Sequence, residues 1–331
     1  MLEKIWYGNR LLALPLLPLS ALFGLVSGLR GLAYRTGLKK VHRFDAPVIV
    51  VGNLAVGGTG KTPLVIWLCE HLRAQGFRPG IVSRGYGGNA SHWPQQVRAD
   101  SDPVVVGDEA VLLAQRTGCP MCVSPDRPAA VEALLRYSDC DIVVADDGLQ
   151  HLAMGRDLEI VVVDGRRGLG NGFLLPAGPL REPPGRLRKA DLVISSGARW
   201  EDVPAMHVVK PRLVPLVPAS ETRPRPLQAL SGRQVHAVAG IGNPQRFFDL
   251  LRSHGVEVIP HAFPDHHAFR RMDLWFEPDL PVVMTEKDAV KCRRYGKRNH
   301  WVVQIDVQPE PAFIDRLDQL LEELKIGQEA A

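Results

Sequence analysis

The chain has 331 residues, 45% hydrophobic and 23% charged, with a formal net charge of +4. That composition belongs to a folded protein long enough for one large or two ordinary domains, and excludes a disordered or low-complexity chain. The positive excess sits at one end: residues 1–43 carry seven Lys/Arg and a single acid, so the remainder sums to −2.

Leu11 to Val26 is an apolar run of sixteen residues interrupted by Pro15 and Pro18, short of the roughly twenty that a crossing helix needs. Arg30, Arg35, Lys39, Lys40 and Arg43 follow it. No small-residue cleavage site comes after the run, so it does not read as a signal peptide. It predicts a membrane-associated helical segment over 1–43, lying at the cytoplasmic face with its cations on anionic headgroups. A helix packed on the protein itself is the plainer alternative. Five scattered cysteines fit a reducing compartment, and Cys119-Pro-Met-Cys122 lacks the second pair that a zinc site requires.

Val48-Ile49-Val50-Val51 is a buried strand by pattern. The stretch Val56-Gly57-Gly58-Thr59-Gly60-Lys61-Thr62-Pro63 follows it and opens a helix whose apolar face is Leu64, Val65, Leu68 and Leu72. Glycines free the backbone N–H groups to wrap an anion, Lys61 places an ammonium on the terminal phosphates, and Thr62 offers a hydroxyl to Mg²⁺. Pro63 suits a first helical turn. Ala55 stands where such a loop normally has its first Gly, and Gly57 and Gly58 are expected to supply the turn instead. No Gly-x-Gly-x-x-Gly spacing follows the strand, which disfavours a dinucleotide fold. Thr285-Glu286-Lys287-Asp288 places its Lys one position too late for a guanine-reading element, so ATP is the expected nucleotide.

Further stations follow in chain order. Ser83 to Gly88 reads as a flexible loop carrying Arg84 and Tyr86. Asp108-Glu109 precedes a helical run, where acids are favoured by capping and the helix dipole and equally suit a base and a metal contact. Arg127 stands at a helix start. Asp146-Asp147 ends the strand Ile142 to Ala145, the edge where carboxylates face a ligand crevice, with Gln150 and His151 just beyond. Leu174 to Pro184 is a rigid, irregular loop, expected to be ordered by proline rather than by hydrogen bonds, with Arg181 as a charge clamp for a transferring phosphoryl group. Past Pro215 comes a Pro-rich linker, then a strand, turn, helix and strand around Gly240-Ile241-Gly242-Asn243-Pro244, a weak second nucleotide site. Asp265-His266-His267 has no further metal ligands nearby, which favours an acid–base or structural role. Lys291 to Arg298 reads as a solvated basic edge.

The expected architecture is an α/β fold: a P-loop NTPase-like parallel sheet flanked by helices over 44–215, a smaller α/β domain with its linker over 216–331, and the N-terminal helix. The ordered set Gly-Gly-Thr-Gly-Lys-Thr-Pro, Ser-Arg-Gly-Tyr-Gly-Gly, Gly-Asp-Glu, Asp-Asp-Gly-Leu-Gln-His, Leu-Pro-Ala-Gly-Pro-Leu-Arg-Glu-Pro, Asp-His-His and Thr-Glu-Lys-Asp-Ala-Val-Lys resembles the tetraacyldisaccharide 4′-kinase family, from the N-terminal segment to about Lys291. The resemblance implies transfer of the ATP γ-phosphoryl group to the 4′-hydroxyl of a tetraacyldisaccharide 1-phosphate, giving lipid IVA in lipid A biosynthesis. It implies a peripheral enzyme on the cytoplasmic face of the inner membrane. It further implies Asp108 as base, paired with His266 in preference to His267, with Thr62, Glu109, Asp146 and Asp147 around Mg²⁺. Arg127, Arg181, Tyr86, Gln150 and His151 fall toward phosphate or substrate.

The rival is a membrane-associated switch ATPase with a deviant phosphate loop, although Val56 stands where the signature Lys of such loops would be. The expected partners are the lipid disaccharide and a membrane surface, with no nucleic acid and no obligate protein partner.

Overall fold

Residues 2–217 and 223–329 are described by the structure, a computed structural model. Helices α1 (Leu2–Trp6) and α2 (Leu17–Arg35) flank a 3₁₀ segment, Arg10–Leu16. The prolines explain that division. Pro15 lies within the 3₁₀ segment and Pro18 in the first turn of α2, where a missing N–H costs nothing. Leu11, Leu12, Leu14, Leu19, Leu22, Leu25, Val26, Leu29 and Leu32 are each more than 50% exposed, an apolar ridge too large to be incidental on a soluble surface.

The strands of the first half are β1 (Val48–Gly52), β2 (Pro79–Ser83), β3 (Gln95–Val97), β4 (Met121–Val123), β5 (Ile142–Asp146), β6 (Leu158–Asp164), β7 (Leu192–Ser196) and β8 (Ala205–Pro215). The second half adds β9 (Arg225–Pro226), β10 (Gln234–Ala239), β11 (Glu257–Ala262), β12 (Val282–Thr285) and β13 (His300–Pro309). The remaining helices are α3 (Lys61–Ala74), α4 (Pro103–Val106), α5 (Asp108–Thr117), α6 (Arg127–Tyr137), α7 (Pro244–Ser253), α8 (Glu286–Cys292) and α9 (Pro311–Glu329). Ile49 and Val51 of β1 face a core shared with α3, α5 and α9, while Val48 and Val50 face Ala130, Val131 and Leu134 of α6. A strand buried on both faces has to be apolar throughout, which is why β1 shows no alternation.

All thirteen strands among the described residues belong to one sheet, ordered β11-β10-β12-β13-β8-β7-β6-β1-β5-β2-β4-β3, with β9 on β8. The run from β4 to β8 is parallel, and so is the run from β11 to β13; the two meet through the antiparallel pair β8–β13. Register decides what this junction does. β7 pairs with the start of β8 (Ser196 opposite Met206), and β12 pairs with the start of β13 (Thr285 opposite Val303, itself opposite Leu213). The carboxyl edges of the two halves therefore face each other across the middle of a long two-stranded ribbon. Leu213 lies seven residue steps beyond Met206, a span of roughly 23 Å at about 3.3 Å per residue.

The chain after 216 also packs on the first half, to which α9 returns. Its Phe313 and Leu317 are buried in the core with α3, Phe313 packs edge-on against Trp67, and Asp318 lies 2.6 Å from His71. The proline-rich loop is also densely hydrogen-bonded rather than ordered by proline alone. Arg181 N donates to Leu54 O (2.7 Å), Val56 N to Pro179 O (2.8 Å), Leu175 N to Leu180 O (2.9 Å) and Ala177 N to Ser20 Oγ (2.9 Å). Residues 218–222, within the expected linker, lie outside the described residues.

Candidate active site between the facing sheet edges

A cleft of about 1030 Å³ occupies the gap between the two edges, floored by Val208 of β8 and by Val303, Ile305 and Val307 of β13. From the first half it is lined by Val56 to Pro63, Arg84, Tyr86, Glu109, Asp146, Asp147 and Arg181. From the second it is lined by Ile241, Gly242, Asn243, Asp265, His266 and Lys287.

The phosphate loop explains its own irregular sequence. Ala55 forms an antiparallel bridge with Leu180, so the chain leaves β1 extended and the first-Gly position needs no left-handed turn. That conformation is taken later, at Gly57 (φ 116°) and Gly60 (φ 89°), a region that side-chain-bearing residues rarely enter. A Cβ on Gly60 would also collide with Ser196 Oγ, whereas Gly58 opens onto free space.

Lys61 Nζ donates to Asn53 Oδ1 (3.0 Å) and stands 3.4 Å from Asp147 Oδ1. Arg181 grips Asp147 in a two-point contact, Nη2 to Oδ1 at 3.0 Å and Nη1 to Oδ2 at 3.2 Å, and also donates to the backbone O (2.9 Å) and the side chain of Asn53. Burial alone would raise the Asp147 pKa. Lys61 and Arg181 override it and hold the carboxyl well below the ordinary range. Asp147 sits at φ 49°, immediately past β5. Asp146, beside it, is buried with only a long contact from Ser83 Oγ (3.4 Å), and its Oδ1 has no partner. Burial, and next the charge of Glu109, push its pKa up to about 7.

Across the gap, His266 Nδ1 lies 3.2 Å from Asp108 Oδ2, with Lys291 Nζ 3.4 Å from the same oxygen. Asp108 opens α5 after Gly107 (φ 94°), and its Oδ1 accepts from Glu109 N at 2.9 Å. It is not an N-cap, and its side chain lies behind His266 rather than in the cleft lining. Burial raises the Asp108 pKa; the contact from His266 and the charges of Lys287 and Lys291 outweigh it and bring it to about 2. Reciprocally, the contact with Asp108 raises the His266 pKa, with burial and Lys287 opposing. Tyr86 packs against the His266 ring at 4.8 Å between centroids. His267 is engaged elsewhere, stacked on Phe263 (4.7 Å) and bonded to Asp273 Oδ2 (3.1 Å).

Lys287 joins the halves. Its Nζ donates to Glu109 Oε1 (2.9 Å) and Asp265 Oδ1 (3.0 Å) and lies 3.3 Å from His266 Nε2. Glu109 and Asp265 raise its pKa against the effect of burial. Below it, Arg116 of α5 bonds Glu286 and Asp306, and Glu286 Oε2 accepts from Ile305 N (3.1 Å) at the β13 bulge. Helices α5 and α8 are thus fastened at several points, and the acids of one half are set against the imidazole of the other.

Besides Asp108, three candidates lie outside the cleft lining. Arg127 opens α6 as expected but is buried, its Nη1 donating to Ser124 O (2.7 Å), and burial lowers its pKa to about 10. Gln150 bonds Glu182 Oε1 (2.7 Å) and Asn53 O (3.3 Å). Burial, with the charges of Arg127 and Arg84, lowers the His151 pKa to about 4. Conversely, sequence reasoning missed Asn53, Lys287 and Lys291. Lys291, assigned to a solvated edge, instead turns inward between Asp108 and Asp288. The Gly240–Asn243 turn faces the phosphate loop: a Cβ on Gly242 would stand 3.5 Å from Gly58 N.

Residues 12–322 match a family model described as tetraacyldisaccharide-1-P 4′-kinase, LpxK. A tetraacyldisaccharide 4′-kinase of Nitrosococcus oceani is 51% identical over 323 residues, 98% of this chain and 95% of that protein. One from Alkalilimnicola ehrlichii is 54% identical over 310 residues, 93% and 92% of the two chains. Among solved structures, an "apo" form of LpxK from Aquifex aeolicus in complex with ATP matches with a TM-score of 0.79 at 29% identity, over 94% of this chain and 99% of that one.

Proposed function

The chain belongs to the tetraacyldisaccharide-1-phosphate 4′-kinase family, and from that premise we propose how its own residues carry out the phosphorylation. It is a kinase of lipid A biosynthesis that uses ATP as co-substrate to phosphorylate the 4′ position of the disaccharide. The observation that carries the residue assignment is the pairing of Asp108 with His266 in one half-to-half cleft with Lys61, Asp147 and Arg181.

The backbone N–H groups of residues 57–60 and the ammonium of Lys61 cradle the triphosphate, and the planar fork of Arg181 complements charge spread over the transferring group. The acceptor 4′-oxygen bonds to the γ-phosphorus as the bond to the β-phosphate bridging oxygen breaks and ADP leaves. The hydroxyl proton passes to the Asp108–His266 pair. With Nδ1–H held toward Asp108, the ring keeps a fixed tautomer and orientation, and Asp108 stabilises the imidazolium that forms. Lys287 restrains the same ring from the other side.

Glu109, Asp146 and Thr62 fit a magnesium ion. Asp146 Oδ1 is buried without a partner, and the neighbouring charge of Glu109 adds to burial in raising the Asp146 pKa, a position that a cation would relieve. No group of three or more His, Cys, Asp or Glu among the described residues forms a cage alone, as suits an ion held chiefly by phosphates and water. When bound, the ion neutralises charge on the phosphates.

The apolar ridge of α2 and the preceding segment supports a cleft working at a bilayer surface, on the cytoplasmic side where ATP meets an acyl-chained acceptor. Arg10–Arg35 is long and apolar enough to cross a membrane. However, Ser20 Oγ donates to Leu174 O (2.8 Å) and Arg30 to Gln150 O (3.4 Å), contacts that suit a helix lying along the protein in the membrane plane. The test is transfer of labelled γ-phosphate from ATP to the disaccharide 1-phosphate lipid, with and without residues 1–43. Acceptor-dependent labelling is expected, weakened by truncation. Slow ATP hydrolysis indifferent to the acceptor would instead support the switch ATPase.

A further inference from the structure

A second recess of about 300 Å³ lies where the N-terminal segment meets the turn after β6. Trp6, Tyr7, Arg10, Arg166, Arg167 and Asn171 line it, and no carboxylate does. Its walls are fixed. Trp6 Nε1 donates to Pro176 O (2.9 Å), Asn171 N to Trp6 O (2.8 Å) and Asn171 Nδ2 to Ile5 O (3.2 Å). Asp164 Oδ1 accepts the backbone N–H of both Arg166 (2.9 Å) and Arg167 (3.0 Å), which fixes the turn that presents the two guanidinium groups. The Arg167 guanidinium lies over the Tyr7 ring at 5.0 Å and meets Glu3 at 3.0 Å; among the described residues the Arg166 guanidinium pairs only with Asp249, at 3.9 Å. Among the described residues Arg10 makes no ion pair or side-chain hydrogen bond, and it is exposed.

Two placements say what such a recess would hold. Arg10 is followed at once by the exposed Leu11, Leu12 and Leu14, so the recess opens at the foot of the apolar ridge. Aromatic rings and arginines at that level are the side chains found at a headgroup plane. Arg166 and Arg167 also line the catalytic cleft, so one turn walls both cavities. We infer that this recess binds a lipid-borne phosphate, held by Arg10, Arg166 and Arg167 with Trp6 and Tyr7 at the bilayer surface. The inference rests on the membrane reading of the N-terminal segment. A phosphate seated there draws Arg166 and Arg167 toward the membrane and so couples the lipid surface to the nucleotide side of the cleft.

The phosphate belongs either to a bulk anionic lipid or to the acceptor itself, and the experiment separates them. Full-length wild type, Arg10→Gln and Arg10→Lys are sedimented with neutral phosphatidylcholine vesicles and with vesicles containing phosphatidylglycerol. The wild type is expected to prefer the anionic vesicles, and Arg10→Gln to lose about fivefold of that preference. Arg10→Lys should restore part of it, and binding to neutral vesicles should not change. In neutral detergent micelles, an unchanged KM for the acceptor in Arg10→Gln assigns the recess to bulk lipid, and a raised KM assigns it to the acceptor's own phosphate. Full anionic preference together with an unchanged micellar KM in Arg10→Gln overturns the inference. A wild type that binds neither kind of vesicle rejects the membrane reading instead, and the recess then stands or falls on the micellar KM alone.

Discussion

Replacing Asp108 with Asn tests the reaction centre most directly, because the structure fixes both the size and the direction of the effect. Asp108 is buried, and its pKa falls from 3.8 to about 2 because His266, Lys287 and Lys291 prevail over desolvation. A depressed carboxyl contributes stability that is present above its unfolded pKa and lost as pH falls through the folded one, here between about 4 and 2. A shift of nearly two units corresponds to about 2 kcal/mol near neutral pH, and Asp108→Asn should lose about that much in urea unfolding. The catalytic effect is larger and carries a sign. The contact from Asp108 raises the His266 pKa, so the wild-type acidic limb of kcat/KM should break above 6.5. In Asp108→Asn, burial and Lys287 are opposed only by the weaker pull of Asp265, and the break should move to lower pH while the plateau falls by ~10²–10⁴. The assay is initial-rate phosphate transfer from pH 5 to 9 at fixed free Mg²⁺. A variant with the wild-type break, or one that loses less than tenfold, would show that the pair does not take the proton.

Lys287→Met should shift the same limb the other way, to higher pH, since the charge opposing His266 protonation is removed; a downward shift would contradict its placement. Asp146→Asn is expected to stabilise the protein while abolishing its magnesium-dependent activity. A raised carboxyl pKa means ionisation costs folding energy from pH 4 upward, fully by about pH 7, so the amide should regain up to ~4 kcal/mol at pH 8. Thermal melts and a magnesium titration of activity check this, and a lower melting temperature at pH 8 would count against it. Phe313→Ala should cost about 3–5 kcal/mol in urea unfolding, because α9 completes the first half's core. A loss below 1 kcal/mol would mean that α9 is dispensable there.

The nucleotide half was legible because its signals are local. Strand, glycine turn and helix lie within one short stretch, and Asp146-Asp147 follows its own strand directly. The rest depends on pairing that no local pattern encodes. Lys287 looked like a failed guanine-reading element and Lys291 like surface charge, because their partners, Glu109 and Asp108, come from the other half of the chain. The direction of the second half follows from β8 pairing antiparallel with β13, which neither strand's sequence declares. The proline loop seemed bond-poor because the groups it bonds, Ser20 and Leu54, are far away in sequence.

The β8–β13 ribbon also acts as a ruler. Strand length is quantised in residues, and inserting two residues into each strand would move the facing edges apart by about 7 Å, leaving the ammonium of Lys287 unable to touch Glu109. The distance over which a phosphoryl group is handed across is thus counted out in β-strand residues, by a span that lines the cleft with the apolar Val208, Val303, Ile305 and Val307.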